Sequence, residues 1–439
     1  MLFAKVIEDF TLSRFDQARN MSFFLRCLST FMGALALTVA LSATAHADNW
    51  PAWRGPTGQG HCAETNLPLK WSTTENVKWK VAMPAPGNST PAIWGERIFI
   101  TQSNKECTTR GLMCLDRADG KLLWRHDIDY PEKERGVSPP YYPCAASPTT
   151  DGERVVVSYG SAGMFCYDFA GKVLWKRDDL GKWTHTYGNA SSPVLHGDLA
   201  ILWCGPDAKH TRLLAVDKKS GATVWEHKER NGSWSTPLVA RVNGHDQLLL
   251  SMPDGFKGFD PRTGKLLWHC DGLTQLVYNS PLYAPDPSGK GGVGVAMSGY
   301  GGAALAVQLG GSGDITKDRL WLHPRNTQRV GSGVIVDDHV YILEANVVPH
   351  CYELRTGKQV WKVDKRLGDV SWSSMVVSGD RIYALCQNGD THIFATGPKF
   401  QLLATNRLGG EYTNSSIAVS NGDLFIRTWE HLWCIREKK

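Results

Sequence analysis

Hydrophobic and polar positions along this chain fall into short runs, and none of the runs carries the 3.6-residue spacing of an amphipathic helix. One ten-residue phrase recurs instead. An apolar run closes on an acidic residue, a polar turn holding Gly follows, and a second apolar run ends in Trp. It reads "FDPRTGKLLW" at 259–268, "LDRADGKLLW" at 115–124, "VDKKSGATVW" at 216–225 and "YELRTGKQVW" at 352–361. Ahead of each copy stands another phrase, a small polar start such as Ser-x-Pro and then an apolar run broken by a Gly/Asp turn. "NSTPAIWGERIFI" (88–100) and "SSPVLHGDLAIL" (191–202) show it clearly, and "SSMVVSGDRIYAL" (373–385) and "NSSIAVSNGDLFI" (414–426) are later, decayed copies. There are eight such starts.

Each unit therefore predicts four short strands. Tryptophans end units at 124, 175, 225, 268, 321 and 361, spacings of roughly 40 to 53 residues. Four strands at that period are the signature of a β-propeller blade. The opening Pro fits an innermost edge strand, where a missing N–H costs little. The eighth unit stops after "HLWCI" (431–435), and its missing outer strand is supplied by "ENVKWKVAM" (75–83), which carries Trp79. The expected fold is thus all-β, an eight-bladed propeller of four-stranded antiparallel blades, closed by that N-terminal strand so that no sheet edge stays open. Two units depart from the pattern. Unit five replaces the hairpin with "AVQLGGSGDITKDRLWL", and in unit seven Leu403 stands near the Trp position.

Physical roles follow for the hairpin. Gly120, Gly221, Gly264 and Gly357 supply the positive φ of a tight loop. Asp116, Asp217 and Asp260 accept backbone N–H groups across the turn. Trp79, Trp124, Trp175, Trp225, Trp268 and Trp361 lay their rings on the next blade, each burying on the order of 200 Å². The hairpin is a structural fastener on this reading.

Composition adds less. The 44 Gly and 17 Trp suit a turn-rich β fold, and a net charge of +5 with interspersed signs argues against nucleic acid. Residues 1–47 read as a signal peptide whose true start is Met21. Arg26 leads an apolar stretch at 28–41 and Ala45-His46-Ala47 offers the cleavage site. The apolar stretch is too short for a membrane span, and Cys27 lies wrongly for a lipid anchor. A secreted or periplasmic chain is expected, with a lead-in at 48–74, the propeller at 75–439, and a monomeric state. Of the ten cysteines after residue 47, Cys114, Cys166 and Cys351 share one position, two before the acidic residue, where other units carry Ala215 and Gly258. A small buried strand position explains these three better than a disulfide or metal. No C-x-x-C pair occurs, so zinc ribbons and haem attachment are excluded.

The hairpins resemble the tryptophan-docking repeat A-x-D-x-x-T-G-K-x-x-W of the pyrroloquinoline-quinone (PQQ) repeat superfamily. The lead-in "NWPAWRGPTGQG" (49–60) resembles that of secreted planctomycete members. The resemblance implies one of two branches. Quinoprotein dehydrogenases hold PQQ and Ca²⁺ at the propeller axis and oxidise alcohols or sugars; the BamB-like branch is a cofactor-free interaction scaffold. This chain has no adjacent cysteine pair of the kind found in the alcohol-oxidising enzymes, and no catalytic Asp with its calcium grouping is recognisable by motif. A non-catalytic binding or protein-interaction scaffold with no cofactor and no metal is therefore expected. A PQQ/Ca²⁺ oxidoreductase is the alternative, and a carbohydrate-binding propeller the third reading. Any ligand, glycan or protein partner should meet the loops that gather at one mouth of the channel. These loops carry His185, Tyr187, Asn189, Trp234, Asn279, Arg329, Trp372, Tyr412 and Asn414. Amides, an Arg and flat aromatics suit a sugar, a quinone or a carboxylate. The bland alternative has the amides satisfying loop backbone and the Trp rings plugging the channel. His185 lacks an identifiable carboxylate partner and is not expected to be a base. The loop 130–144 is the longest insertion, a cap for the mouth or a partner surface.

Overall fold

The structure, a computed structural model, describes residues 49–132, 134, 142–183, 185–206, 211–325 and 330–438. Residues 1–47, expected from the sequence to be a signal peptide, lie outside them. Eight sheets, each with four antiparallel strands, form the blades, and two of them carry a fifth, parallel strand. The first blade is Ala92–Trp94, Arg97–Gln102, Thr109–Asp116 and Leu122–Asp129; the third is Val194–His196, Leu199–Cys204, Arg212–Asp217 and Thr223–Lys228. The first strands of successive blades touch one another, which places them around the axis. Helical structure among the described residues is confined to two 3₁₀ turns, Gly160–Ala162 and Thr316–Asp318.

The second and third strands of each blade are buried along nearly their whole length, because neighbouring blades cover both faces. This is why they read as unbroken apolar runs. Outer strands have one covered face and alternate, as Val77–Ala82 does residue by residue. The core is accordingly a series of layers between blades. One layer joins Val156, Met164 and Trp175 of blade two to Ala200, Leu202 and Val216 of blade three.

The ring closes through Val77–Ala82, which pairs antiparallel with His431–Ile435. Arg427, fully buried, reinforces the joint from inside. Its guanidinium donates to the backbone carbonyls of Ser89 and Thr101 and to Gln102 Oε1 at 2.6 Å, stitching blade eight to blade one. Burial lowers its pKa to about 10.

Six tryptophans fasten blade to blade by one geometry. The indole N–H donates to a carbonyl in the next blade's hairpin: Trp79 to Arg117, Trp124 to Phe169, Trp175 to Lys218, Trp225 to Pro261, Trp321 to Leu354 and Trp361 to Gly397, all at 2.8–3.1 Å. The turn glycine lies flat beneath the ring. At Gly264 φ is +68°, and a Cβ there would stand 2.4 Å from a ring carbon of Trp225, so two separate constraints select glycine. Asp260 Oδ1 accepts the Arg262 N–H at 2.8 Å and holds the turn.

The position two before the acidic residue lies directly across the ladder from the tryptophan. Cys114 faces Trp124, Cys166 faces Trp175, Ala215 faces Trp225 and Cys351 faces Trp361. The Cys166 thiol points at the same Lys218 carbonyl that Trp175 bonds, so only a small side chain leaves room for the docking turn. The ten cysteines from Cys62 to Cys434 are all free thiols.

Two positions differ from the sequence expectation. Trp268 docks on no hairpin turn, because blade five has none. It is fully buried and donates to Gln247 Oε1 at 2.7 Å within its own blade. The substitute loop instead adds Gly313–Asp314 as a fifth, parallel strand beside it. In blade seven the tryptophan position belongs to Ala404, opposite Ile393, and Leu403 falls at the strand bulge. Large and small have exchanged places there.

Candidate functional site

The small polar start of every blade builds a feature at the axis. The backbone N–H of Thr90 donates to the Ser147 hydroxyl, Ser147 to Ser192, Ser192 to Thr236, and Thr236 to Ser280. Ser280 donates to Ser332, Ser332 to Ser374, Ser374 to Ser416, and Ser416 back to Thr90. Eight bonds of 2.9–3.1 Å make a closed circle, one per blade. Each N–H at the start of an inner strand lacks a ladder partner, and the neighbour's hydroxyl satisfies it.

Above this circle opens a funnel with a cavity volume of about 150 Å³. Its floor is Trp53. Residues 50–62 cross the axis from one side of the ring to the other. Trp50 pairs with Ile93 of blade one, and the Pro51 carbonyl accepts the Thr150 N–H of blade two. Gln59 Oε1 accepts the Tyr283 N–H of blade five at 2.7 Å, and Arg54 Nη2 donates to the Gly333 carbonyl of blade six. His61–Cys62 then pairs in parallel with blade seven. Trp53 borders both the funnel and the cleft on the opposite face, so the segment divides one from the other. Arg54 is buried with no carboxylate partner among the described residues, and burial lowers its pKa to about 9.

Of the mouth residues expected from sequence, Tyr187, Asn189, Trp234, Trp372 and Asn414 line the funnel. The Trp234 indole donates to the Gly188 carbonyl at 2.8 Å and its ring lies 4.8 Å from Tyr278. Asn189 Nδ2 donates to the Trp183 carbonyl, and Asn414 Oδ1 accepts from Gln387 Nε2. His185 lies behind this wall, edge-on to Trp234 at 4.7 Å, with Nδ1 accepting the Tyr187 N–H. Two others turn away. Asn279 is buried and donates to the Val330 and Gly331 carbonyls. Tyr412 packs on Trp429 at 4.1 Å. Arg329 lies outside the described residues.

The funnel also recruits residues that sequence reasoning passed over: Trp53, Asn88, Tyr142, Tyr278 and Tyr300. Tyr278 adjoins Asn279 in the same loop, and Tyr300 sits in the Gly-rich stretch at 298–307. Tyr142, near the end of the long insertion, stands edge-on to Trp429, whose indole donates to Asn88 Oδ1. The end of the insertion, at Tyr142, therefore reaches the mouth. None of the described lining residues carries a formal charge. Among the described residues no cluster of three His, Cys, Asp or Glu side chains could hold a metal, and no helix is long and apolar enough to cross a membrane.

Comparison with known proteins agrees with this architecture. Residues 110–363 match the family described as outer membrane protein assembly factor BamB. BamB of Burkholderia pseudomallei is 24% identical over 289 residues, covering 63% of this chain and 65% of that protein. Quinoprotein alcohol dehydrogenase PedE of Pseudomonas putida is 36% identical over 106 residues, which is 24% of this chain and only 16% of the relative's length. The crystal structure of quinohemoprotein alcohol dehydrogenase from Comamonas testosteroni superposes with a TM-score of 0.63 at 12% identity, covering 88% of this chain and 77% of that one.

Proposed function

Since the chain belongs to the PQQ-like β-propeller repeat family described as BamB, we propose that it is a non-catalytic binding module, with the axial funnel as the seat of its ligand or partner. One observation carries this reading: the described funnel lining consists of aromatic rings, amides and hydroxyls with no charged group. Such a surface holds a molecule by stacking and neutral hydrogen bonds, and its described lining has no carboxylate, imidazole or ammonium group to activate its hydroxyls. The relatives named as outer-membrane assembly factors support a scaffold role. The leader-like segment at 21–47 supports work outside the cytoplasm.

The relatives named as quinoprotein dehydrogenases supply the second reading. PQQ is a flat tricarboxylate, and calcium takes about six to eight oxygen ligands, carboxylates among them. The described lining has neither a carboxylate for calcium nor a cation for the quinone's acids, so its donor set does not fit that pair. The test is to titrate the protein with PQQ and Ca²⁺ and assay dye reduction with alcohols and sugars. Absence of turnover is expected; stoichiometric PQQ binding with turnover overturns the proposal.

A further inference from the structure

Funnel polarity has a specific composition. In the hydroxyl circle every oxygen accepts a neighbour's N–H, but among the described residues only Ser280 donates its own proton, to the Thr236 carbonyl at 2.8 Å. The other seven hydroxyls keep an O–H that no acceptor among the described residues takes. Six of them, Thr90, Ser147, Ser192, Thr236, Ser374 and Ser416, line the funnel. Higher in the wall, the buried amide atom Asn189 Oδ1 has no partner among the described residues. Asn189 is not free to reverse, because its Nδ2 is held by the Trp183 carbonyl. The site thus presents unpaired donors and an unpaired acceptor together, beside the ring faces of Trp234, Tyr278 and Trp372.

Few ligand classes answer all of these demands. A carboxylate or phosphate accepts but cannot donate to Asn189 Oδ1, and no described lining cation balances its charge. An apolar ring leaves the hydroxyls desolvated and unpaired, at a cost for each one. A quinone has flat faces and acceptors but few donors. A pyranose meets every condition. Its hydroxyls both donate and accept, it carries no charge, and its C–H face stacks on indole and phenol rings.

We infer that the axial funnel binds a neutral pyranose unit of an oligosaccharide, stacked on the aromatic wall and hydrogen-bonded to the axial hydroxyls and the Asn189 amide. This rests on the binding-module reading and names its ligand class. The full chain is titrated with maltopentaose, cellopentaose, chitopentaose and mannopentaose, and with tetragalacturonate as the charged comparator, following indole fluorescence and heat. Saturable binding of at least one neutral oligomer is expected, weakened tenfold or more in Trp234→Ala and in Tyr300→Ala. Tyr300 is 41% exposed, so its truncation spares the core and keeps the test valid if the Trp234 variant folds poorly. The inference is overturned if none of the oligomers binds, if tetragalacturonate binds tighter than every neutral one, or if binding is unchanged in both variants. Dye reduction with PQQ and Ca²⁺ is assayed on the same preparation. Turnover overturns the binding-module reading itself, whereas failure to bind saccharide without turnover removes only the ligand class.

Discussion

Ser416 donates its backbone N–H to the hydroxyl of Thr90 at 2.9 Å, across 326 residues of sequence. This single bond completes the circle that the other seven Ser and Thr hydroxyls carry from blade to blade. It acts at the joint where the last blade meets the first, together with the Val77–Ala82 strand. Six of these eight side chains also line the funnel, so ring closure and the binding surface share atoms.

Thr90→Val keeps the shape of the side chain and removes the acceptor. The buried Ser416 N–H then has no partner, at a cost of about 1–3 kcal/mol. Thr90→Ser restores the hydroxyl and should stay close to wild type. Urea unfolding of the three proteins checks this; equal midpoints for the Val and Ser variants would mean that the circle contributes nothing to closure.

The fastener between blades three and four is a coupled pair. Gly264→Ala places a methyl where φ is +68° and the Trp225 ring is already in contact. Trp225→Ala removes the ring and should cost about 3–5 kcal/mol. In the double variant the methyl no longer meets the indole, so its loss should be smaller than the sum of the two single losses by at least about 0.5 kcal/mol. Gly264→Ala combined with Trp361→Ala, two blades away, should be additive. Additivity in both combinations would break the link between the turn glycine and its ring.

Blade seven offers a test by exchange. Ala404 stands at the tryptophan position and Ile393 across from it, the reverse of the small-opposite-Trp arrangement elsewhere. Ala404→Trp alone should overpack this pair and destabilise by about 1–3 kcal/mol. Adding Ile393→Ala restores the size pattern of the other blades and should recover a measurable part of the loss. A double variant less stable than Ala404→Trp alone, by denaturant unfolding, would refute the size rule.

The fold was legible because each fastener needs specific residue types. A tight loop under an indole demands Gly, the docking bond demands Trp, and both recur with the blade. The Ser/Thr starts were equally visible, yet their purpose was not, since each hydroxyl serves the neighbouring blade and only the closed ring shows the partner. The funnel was half legible. Asn279 and Tyr412 sit in the right loops, but a shift of one or two residues decides whether a loop side chain faces the axis or the backbone of its neighbour. Trp53 carried no signal at all. It lies in a lead-in without periodicity, and only the crossing of the axis by residues 50–62 puts it on the floor.

Acid should weaken the protein in two stages, and the upper stage belongs to histidines. Burial lowers the pKa of His61, His350 and His392 below the ordinary value. Each therefore binds its proton more weakly in the folded chain than in the unfolded one. Just below the unfolded value of about 6.5 the unfolded state holds more protons, so stability falls as pH drops through that window and is regained as pH rises. The lower stage comes from carboxylates such as Glu229 and Glu411. Hydrogen bonds from Lys257 and His227 at Glu229, and from Thr428 and Trp433 at Glu411, outweigh burial and hold their pKa values below normal. Their contribution is lost only as pH falls below the usual carboxylate range. His392 gives the direct check, since its ring is buried, bonds Thr405 Oγ1 through Nδ1 and leaves Nε2 unpartnered. His392→Gln removes one titrating group from the upper window. Its unfolding midpoint should decline less steeply than wild type as pH falls below about 6.5. An identical decline in both proteins over the upper window would show that this histidine is not a source of the acid sensitivity.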